Sequence, residues 1–204
     1  GQPNLDKHLL SKASKLKCII NVESNFMDNL DYDYCFKKNI HVIATSPVFS
    51  KPVAEIALGM TLSLLRNIHN AHFDFIKSKE KYGLESNLQA SLLTNKKIGL
   101  IGFGDLAKSL YPLLLPFSKN INVYDPWITK NKIKKIGFNP INLNKMFSSC
   151  EVIYVLATIT KKNKHLIDKK LLNKMKSGTV FILMSRAAIV LSLIHISEPT
   201  RHGL

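Results

Sequence analysis

Three groups of residues in this chain stand where type and spacing could do chemistry. The first is Gly102-Phe103-Gly104-Asp105-Leu106-Ala107, which follows the apolar tetrad Ile98-Gly99-Leu100-Ile101. Gly102 permits a turn that a side chain would obstruct, and Gly104 lets the backbone approach a phosphate. The amides of Asp105 and Leu106, at the start of the helix that follows, then point at the anion. Ala107 takes the third glycine position, where a methyl still allows close helix–strand packing. The second group is Ile121-Asn122-Val123-Tyr124-Asp125, a strand pattern ending in an acid about 20 residues past the glycines. Its carboxylate can accept from ribose hydroxyls and would repel a 2′-phosphate, so the spacing predicts a dinucleotide site that prefers NAD to NADP. The third is Arg186, one of three arginines in a lysine-rich chain. At a strand's carboxyl end facing the same crevice, it reads either as an ordinary surface arginine or as a planar guanidinium suited to bidentate binding of a carboxylate.

The elements that must position these groups alternate. Residues Leu5 to Leu16 predict a helix, Leu16 to Ile20 a strand, Asp28 to Asp31 a helix start with acids at its positive end, and His41 to Ala44 a strand. Two strands and an intervening helix do not complete a sheet, so the chain is expected to begin partway through a domain. Ser50 predicts a cap for one long helix, with Pro52 in its first turn and an end near Lys79. A loop from Tyr82 to Asn95 leads to the βαβ unit, whose helix Pro112 should kink. A lysine-rich loop follows Asp125. Then come a helix from Asn142 to Ser149, a strand from Val152 to Leu156 and a polar loop from Thr158 to His165. Asp168 predicts a cap for a helix over 169–176, and Thr179 to Met184 a last strand. Strands and helices in alternation make an α/β fold with a parallel sheet covered on both faces.

Lys+Arg exceed Asp+Glu by 29 to 14, a net charge of +15. The lysines are scattered, with no basic helix and no interleaving of aromatics with arginines, which argues against nucleic acid as a partner. The longest apolar runs are interrupted by Glu55, Arg66 or Arg186, so no membrane span is expected. Cys18, Cys35 and Cys150 are odd in number and far apart, as in cytoplasmic proteins with free thiols, and lack the partners of a zinc site.

Taken in order, several pieces resemble the D-isomer-specific 2-hydroxyacid dehydrogenases, the family of phosphoglycerate dehydrogenase and hydroxypyruvate reductase. They are Asp28-Asn29-Leu30-Asp31, Val53-Ala54-Glu55 through Arg66-Asn67-Ile68, and Gly99 to Ala107. Tyr124-Asp125-Pro126-Trp127, Ser177-Gly178 and Ser185-Arg186 complete the series. The resemblance implies a Rossmann-type doubly wound nucleotide domain inserted into a flavodoxin-like substrate domain, of which residues 1–50 form part. Residues 51–80 would be the interdomain helix and 81–190 the NAD-binding domain. It implies cofactor contacts at Gly102, Gly104, Asp105, Leu106, Asp125, Ala157, Thr158 and Thr160, and a substrate-carboxylate loop at Asn25 and Phe26. It also implies that Arg186 holds the carboxylate of a small 2-hydroxy or 2-oxo acid, and that the parent is a homodimer. Ser24 and Phe26 replace glycines common in that loop, and Leu183 to Ala188 departs from the usual Asn-x-x-Arg-Gly-Gly while keeping the arginine.

After Val190 the family's remaining helix, strand, catalytic glutamate and Pro-His pair do not follow. The string from Leu191 to Arg201 resembles a translated transposase adapter, so residues 191–204 are expected to be foreign, and the chain an inactive fragment. The expected activity of the parent is NAD-dependent hydride transfer. The alternative is a co-repressor of the same fold, which binds NAD(H) and recruits partners.

Overall fold

The computed structural model describes residues 3–22, 29–160 and 162–191. It divides into two units, Gly1–Ser50 and Lys51–Leu204. In the first, helix α1 (Lys7–Ser11) precedes β1 (Cys18–Asn21), and α2 (Tyr32–Lys37) leads to β2 (His41–Ala44). Strands β1 and β2 pair in parallel. Each helix starts on an aspartate that accepts a backbone amide three residues on: Asp6 from Leu9 and Asp31 from Tyr34. The expected helix from Leu5 to Leu16 is shorter, because Leu5 instead pairs with Leu30 in a parallel bridge. Leu10, Cys35 and Ile40 form this unit's buried centre.

The boundary between the units falls inside α3 (Ser46–Leu65), four residues after its start. Here two expectations fail. The helix begins before Ser50, so Pro52 lies inside it rather than in the first turn. It also does not run on to Lys79: Asn67 adopts a left-handed conformation (φ 54°), and a separate helix α4 (Ile68–Ile76) starts beyond it. Asparagine tolerates that conformation better than most residues, so the break needs neither glycine nor proline. By length and mean hydropathy (1.4), α3 could cross a membrane. Its Ala54, Ala57, Thr61 and Leu65 are instead buried in the second unit, on one face at helical spacing.

The remaining elements are α5 (Gly83–Asn87), β3 (Ile98–Ile101), α6 (Asp105–Leu114), β4 (Ile121–Tyr124), α7 (Lys130–Lys135), β5 (Asn139–Pro140), α8 (Leu143–Ser149), β6 (Val152–Val155), α9 (Lys169–Leu172) and β7 (Val180–Leu183). All five strands of this sheet are parallel, in the order β5-β4-β3-β6-β7. Side chains alternate between its faces. Ile98, Leu100, Val152, Tyr154 and Ile182 meet α3 and α6 on one side. Ile101, Ile153 and Val155 meet Met146 and Phe147 of α8 on the other. Helix α6 continues through Pro112 to Leu114.

Three expected loops or helices differ. Residues 83–87 form a turn of helix. The lysine run after Asp125 is helix α7, capped by Thr129, whose hydroxyl accepts from the Lys132 amide. Helix α9 ends at Leu172, not Lys176, although Asp168 does cap it through the Leu171 amide.

Candidate nucleotide site

Because the strands are parallel, the ends of β3, β4, β6 and β7 share one edge of the sheet. From β3 the chain passes to β4 on one side and later returns to β6 on the other, so a crevice opens at the ends of β3 and β6. Gly102 follows β3 there with φ +90°, and a Cβ added to it would lie 2.7 Å from the Ala157 Cα and 2.8 Å from the Ala157 nitrogen. Only a residue without a side chain lets the two strand ends meet. Gly104 differs. A Cβ at that position would find nothing within 4 Å, so open space lies in front of the first turn of the ten-residue helix α6. The first amides of a helix lack acceptors within it and suit an anion. Ala107 is fully buried under this turn, as a third small residue must be.

Asp125 does more than end a strand. Its Oδ2 accepts from the Phe103 amide at 2.8 Å, and its Oδ1 from the Trp127 amide at 2.8 Å. The carboxylate thus pins the middle of the glycine turn to the end of β4. Each oxygen keeps a second lone pair for a ribose hydroxyl. The Phe103 ring turns inward, packs against Phe138 with centroids 5.5 Å apart and lies 6.0 Å from that of Tyr111.

Asp105 brings a charge that works against an anion. It stands in the first turn of α6, with its Oδ1 3.7 Å from the Lys108 ammonium. A carboxylate there stabilises the helix, but it occupies the same positive field that a pyrophosphate would use.

On the opposite wall, the segment from Ala157 to Thr160 is closed by Asn163, whose Nδ2 donates to the Thr158 carbonyl at 2.7 Å and whose Oδ1 accepts from the Thr160 amide at 2.6 Å. The Ser185 hydroxyl donates to the Ala157 carbonyl at 2.5 Å. Arg186 comes next, exposed, at the start of a short 3-10 turn over Ala187–Ile189. Gly102, Gly104, Asp105, Leu106, Asp125, Ala157, Thr158, Thr160 and Arg186 therefore all belong to segments at one edge of the sheet. Asn25 and Phe26 lie outside the described residues, as do residues 192–204. Sequence reasoning missed Asn163 and Ser185. A lone asparagine in a polar loop is the available signal for the first, and the second carries none of its own.

Such a sheet order, with a glycine turn at its switch point and an acid ending the neighbouring strand, defines a dinucleotide-binding domain. The residues fit NAD, since the space over Gly104 and the acid at 125 lie on adjoining strand ends. The chain belongs to the D-isomer specific 2-hydroxyacid dehydrogenase family: the family model of its NAD binding domain matches residues 58–192.

Among its relatives is D-3-phosphoglycerate dehydrogenase of Bacillus subtilis (strain 168), 29% identical over 182 residues, which cover 89% of this chain and 34% of that protein. The crystal structure of a phosphoglycerate oxidoreductase from Rhizobium etli matches with a TM-score of 0.78 and 37% identity, over 93% of this chain and 61% of that one. NAD-dependent formate dehydrogenase from Staphylococcus aureus, solved in complex with NAD, matches with a TM-score of 0.69 and 27% identity, over 92% of this chain and 55% of that one. The chain thus spans between about a third and three fifths of the length of these proteins.

Proposed function

We propose that the protein to which this chain belongs is an NAD-dependent oxidoreductase acting on a small D-2-hydroxy acid or the matching 2-oxo acid. The open space over Gly104, beside the carboxylate of Asp125, carries this reading. When bound there, NAD supplies hydride chemistry between its nicotinamide and the α-carbon of the acid. The chain's own residues bind and orient. The first turn of α6 takes the pyrophosphate, Asp125 takes the ribose, and the wall from Ala157 to Thr160 lies along the cofactor. Arg186 holds the substrate carboxylate.

Ile56, Met60 and Leu64 are each more than half exposed at four-residue spacing on α3, and Phe75 and Ile76 of α4 are exposed too. An apolar strip of this kind supports a homodimer. The scattered lysines and the core-facing side of α3 support a protein that binds neither nucleic acid nor membrane. Free Cys18, Cys35 and Cys150 support a reducing, cytoplasmic setting; burial pushes the Cys150 thiol above its ordinary range.

Titration with NADH and NADPH tests the reading. NADH should bind more tightly, because Asp125 faces the ribose and repels a 2′-phosphate. Equal affinities would remove Asp125 from the site, and absence of binding to either would defeat the reading.

A further inference from the structure

We propose that Asn163 is a positioning residue for the nicotinamide half of the cofactor, its side chain setting the wall from Ala157 to Thr160 on which that half lies. The inference rests on the NAD reading above and adds a residue to it. The sheet order gives the cofactor its direction. The acid for the adenosine ribose follows β4, the turn for the pyrophosphate follows β3, and β6 comes next in the order β4-β3-β6-β7. The half beyond the pyrophosphate therefore meets the segment that leaves β6, which is 157–160.

That segment is neither helix nor strand, so bonds from elsewhere must give it a shape. Its start is tied to the turn after β7, because the Ser185 hydroxyl donates to the Ala157 carbonyl. Beyond its end, His165 takes a left-handed conformation (φ 58°), and its amide donates to the Ala188 carbonyl at 2.8 Å. Between these two ties, Asn163 holds the middle. Its Nδ2 donates to the Thr158 carbonyl and its Oδ1 accepts from the Thr160 amide, while its own amide donates to the Thr160 carbonyl at 3.2 Å. One residue thus orients three backbone groups of the wall. The task needs a side chain that donates at one end and accepts at the other, and asparagine carries both on one planar group. Asn163 acts on the cofactor through the wall.

Two ligands isolate this role. The full chain and its variants are titrated by calorimetry with ADP, which ends at the diphosphate, and with NADH, which goes on to the nicotinamide and its ribose. The unaltered chain should bind NADH more tightly than ADP. Asn163→Ala should weaken NADH binding about 5- to 50-fold and leave ADP affinity within about twofold. Asn163→Asp keeps the acceptor but sets a carboxylate against the Thr158 carbonyl, so it should do no better than Asn163→Ala. Asn163→Ser, whose hydroxyl both donates and accepts, should recover part of the loss. Parallel losses for both ligands would make Asn163 a support of the whole domain, and the proposal fails. It fails as well if NADH has no advantage over ADP in the unaltered chain, or if Asn163→Ala or Asn163→Asp binds NADH normally; in each case the NAD reading stands. If neither ligand binds the unaltered chain, both readings fall together.

Discussion

The hydroxyls of Thr61 on α3 and Tyr154 on β6 lie 2.6 Å apart, and both residues are fully buried. Thr61 donates its own proton to the Ala57 carbonyl at 2.8 Å, so the Tyr154 hydroxyl is the donor between them. One short chain of hydrogen bonds thereby ties the C-terminal half of the long helix to the middle of a central strand.

Burial pushes the Tyr154 pKa up to about 12, which gives the pair a signature in alkali. The folded state holds this proton more tightly than the unfolded one. The contribution is therefore complete below about pH 10 and is lost as the pH rises towards 12, amounting to roughly 2–3 kcal/mol. Thermal melts of the parent and of Tyr154→Phe across that range should diverge, with the parent falling more steeply. Thr61→Val leaves the phenol without its acceptor and should cost about 1–3 kcal/mol at neutral pH. Parallel alkaline curves for parent and Tyr154→Phe would contradict the assignment.

The two glycines of the turn should separate stability from binding. Gly102→Ala drives a methyl into the Ala157 backbone at positive φ, and should cost several kcal/mol or prevent folding. Gly104→Ala meets open space with a φ of −83°, so its stability should stay within about 0.5 kcal/mol of the parent. Its affinity for NADH should nevertheless fall at least tenfold, because the methyl enters the volume left for the pyrophosphate. Denaturant melts and NADH titration of both variants decide this, and unaltered NADH affinity in Gly104→Ala would mean that no phosphate sits there.

Asp105 is expected to restrain cofactor affinity. Asp105→Asn removes a like charge from the helix start at a cost to the helix of about 0.3–1 kcal/mol. NADH binding should tighten by about two- to fivefold at low ionic strength, with the gain shrinking as salt is added. An affinity that weakens instead would show the carboxylate to be part of the binding surface.

Arg186 can be judged in a version of the protein extended to the length of its relatives. Removing one side of a carboxylate–guanidinium pair costs roughly 2–5 kcal/mol, or about 30- to several-thousand-fold in kcat/KM. Arg186→Lys should recover little, since an ammonium cannot present two parallel donors. NADH affinity should change far less in both variants. Near-normal turnover of Arg186→Ala would make this an ordinary surface arginine.

The central βαβ unit was legible because its signals are local: an apolar strand, two glycines, an amphipathic helix and an acid at a fixed distance. Other features lay outside the reach of local pattern. Asn67 ends α3 by its backbone conformation alone, and nothing in Arg66-Asn67-Ile68 distinguishes it from a helix interior. The lysines of α7 read as a solvated loop, although Thr129 before them and Gly137 after them, at φ 94°, were start and stop signals in plain view. Strand β5 has only two residues, one of them a proline, too few to show a period. The second role of Asp125 depends on a bond across 22 residues, which spacing could place near a ribose but not on an amide. Asn163 bonds the amide and carbonyl of its own loop, and Ser185 a carbonyl 28 residues away, so the importance of Ser185 exists only once the chain is folded.

The inward ring of Phe103 has a kinetic meaning. Its amide is donated to Asp125, while its side chain, 3% exposed, is wedged between α6 and the approach to β5. The amide exchanges only when its bond to Asp125 opens, and the buried ring resists that opening, so its exchange with deuterium should be slow. The glycine turn then has no melting transition of its own. Its ordering entropy is spent when the domain folds, before any dinucleotide arrives at the crevice.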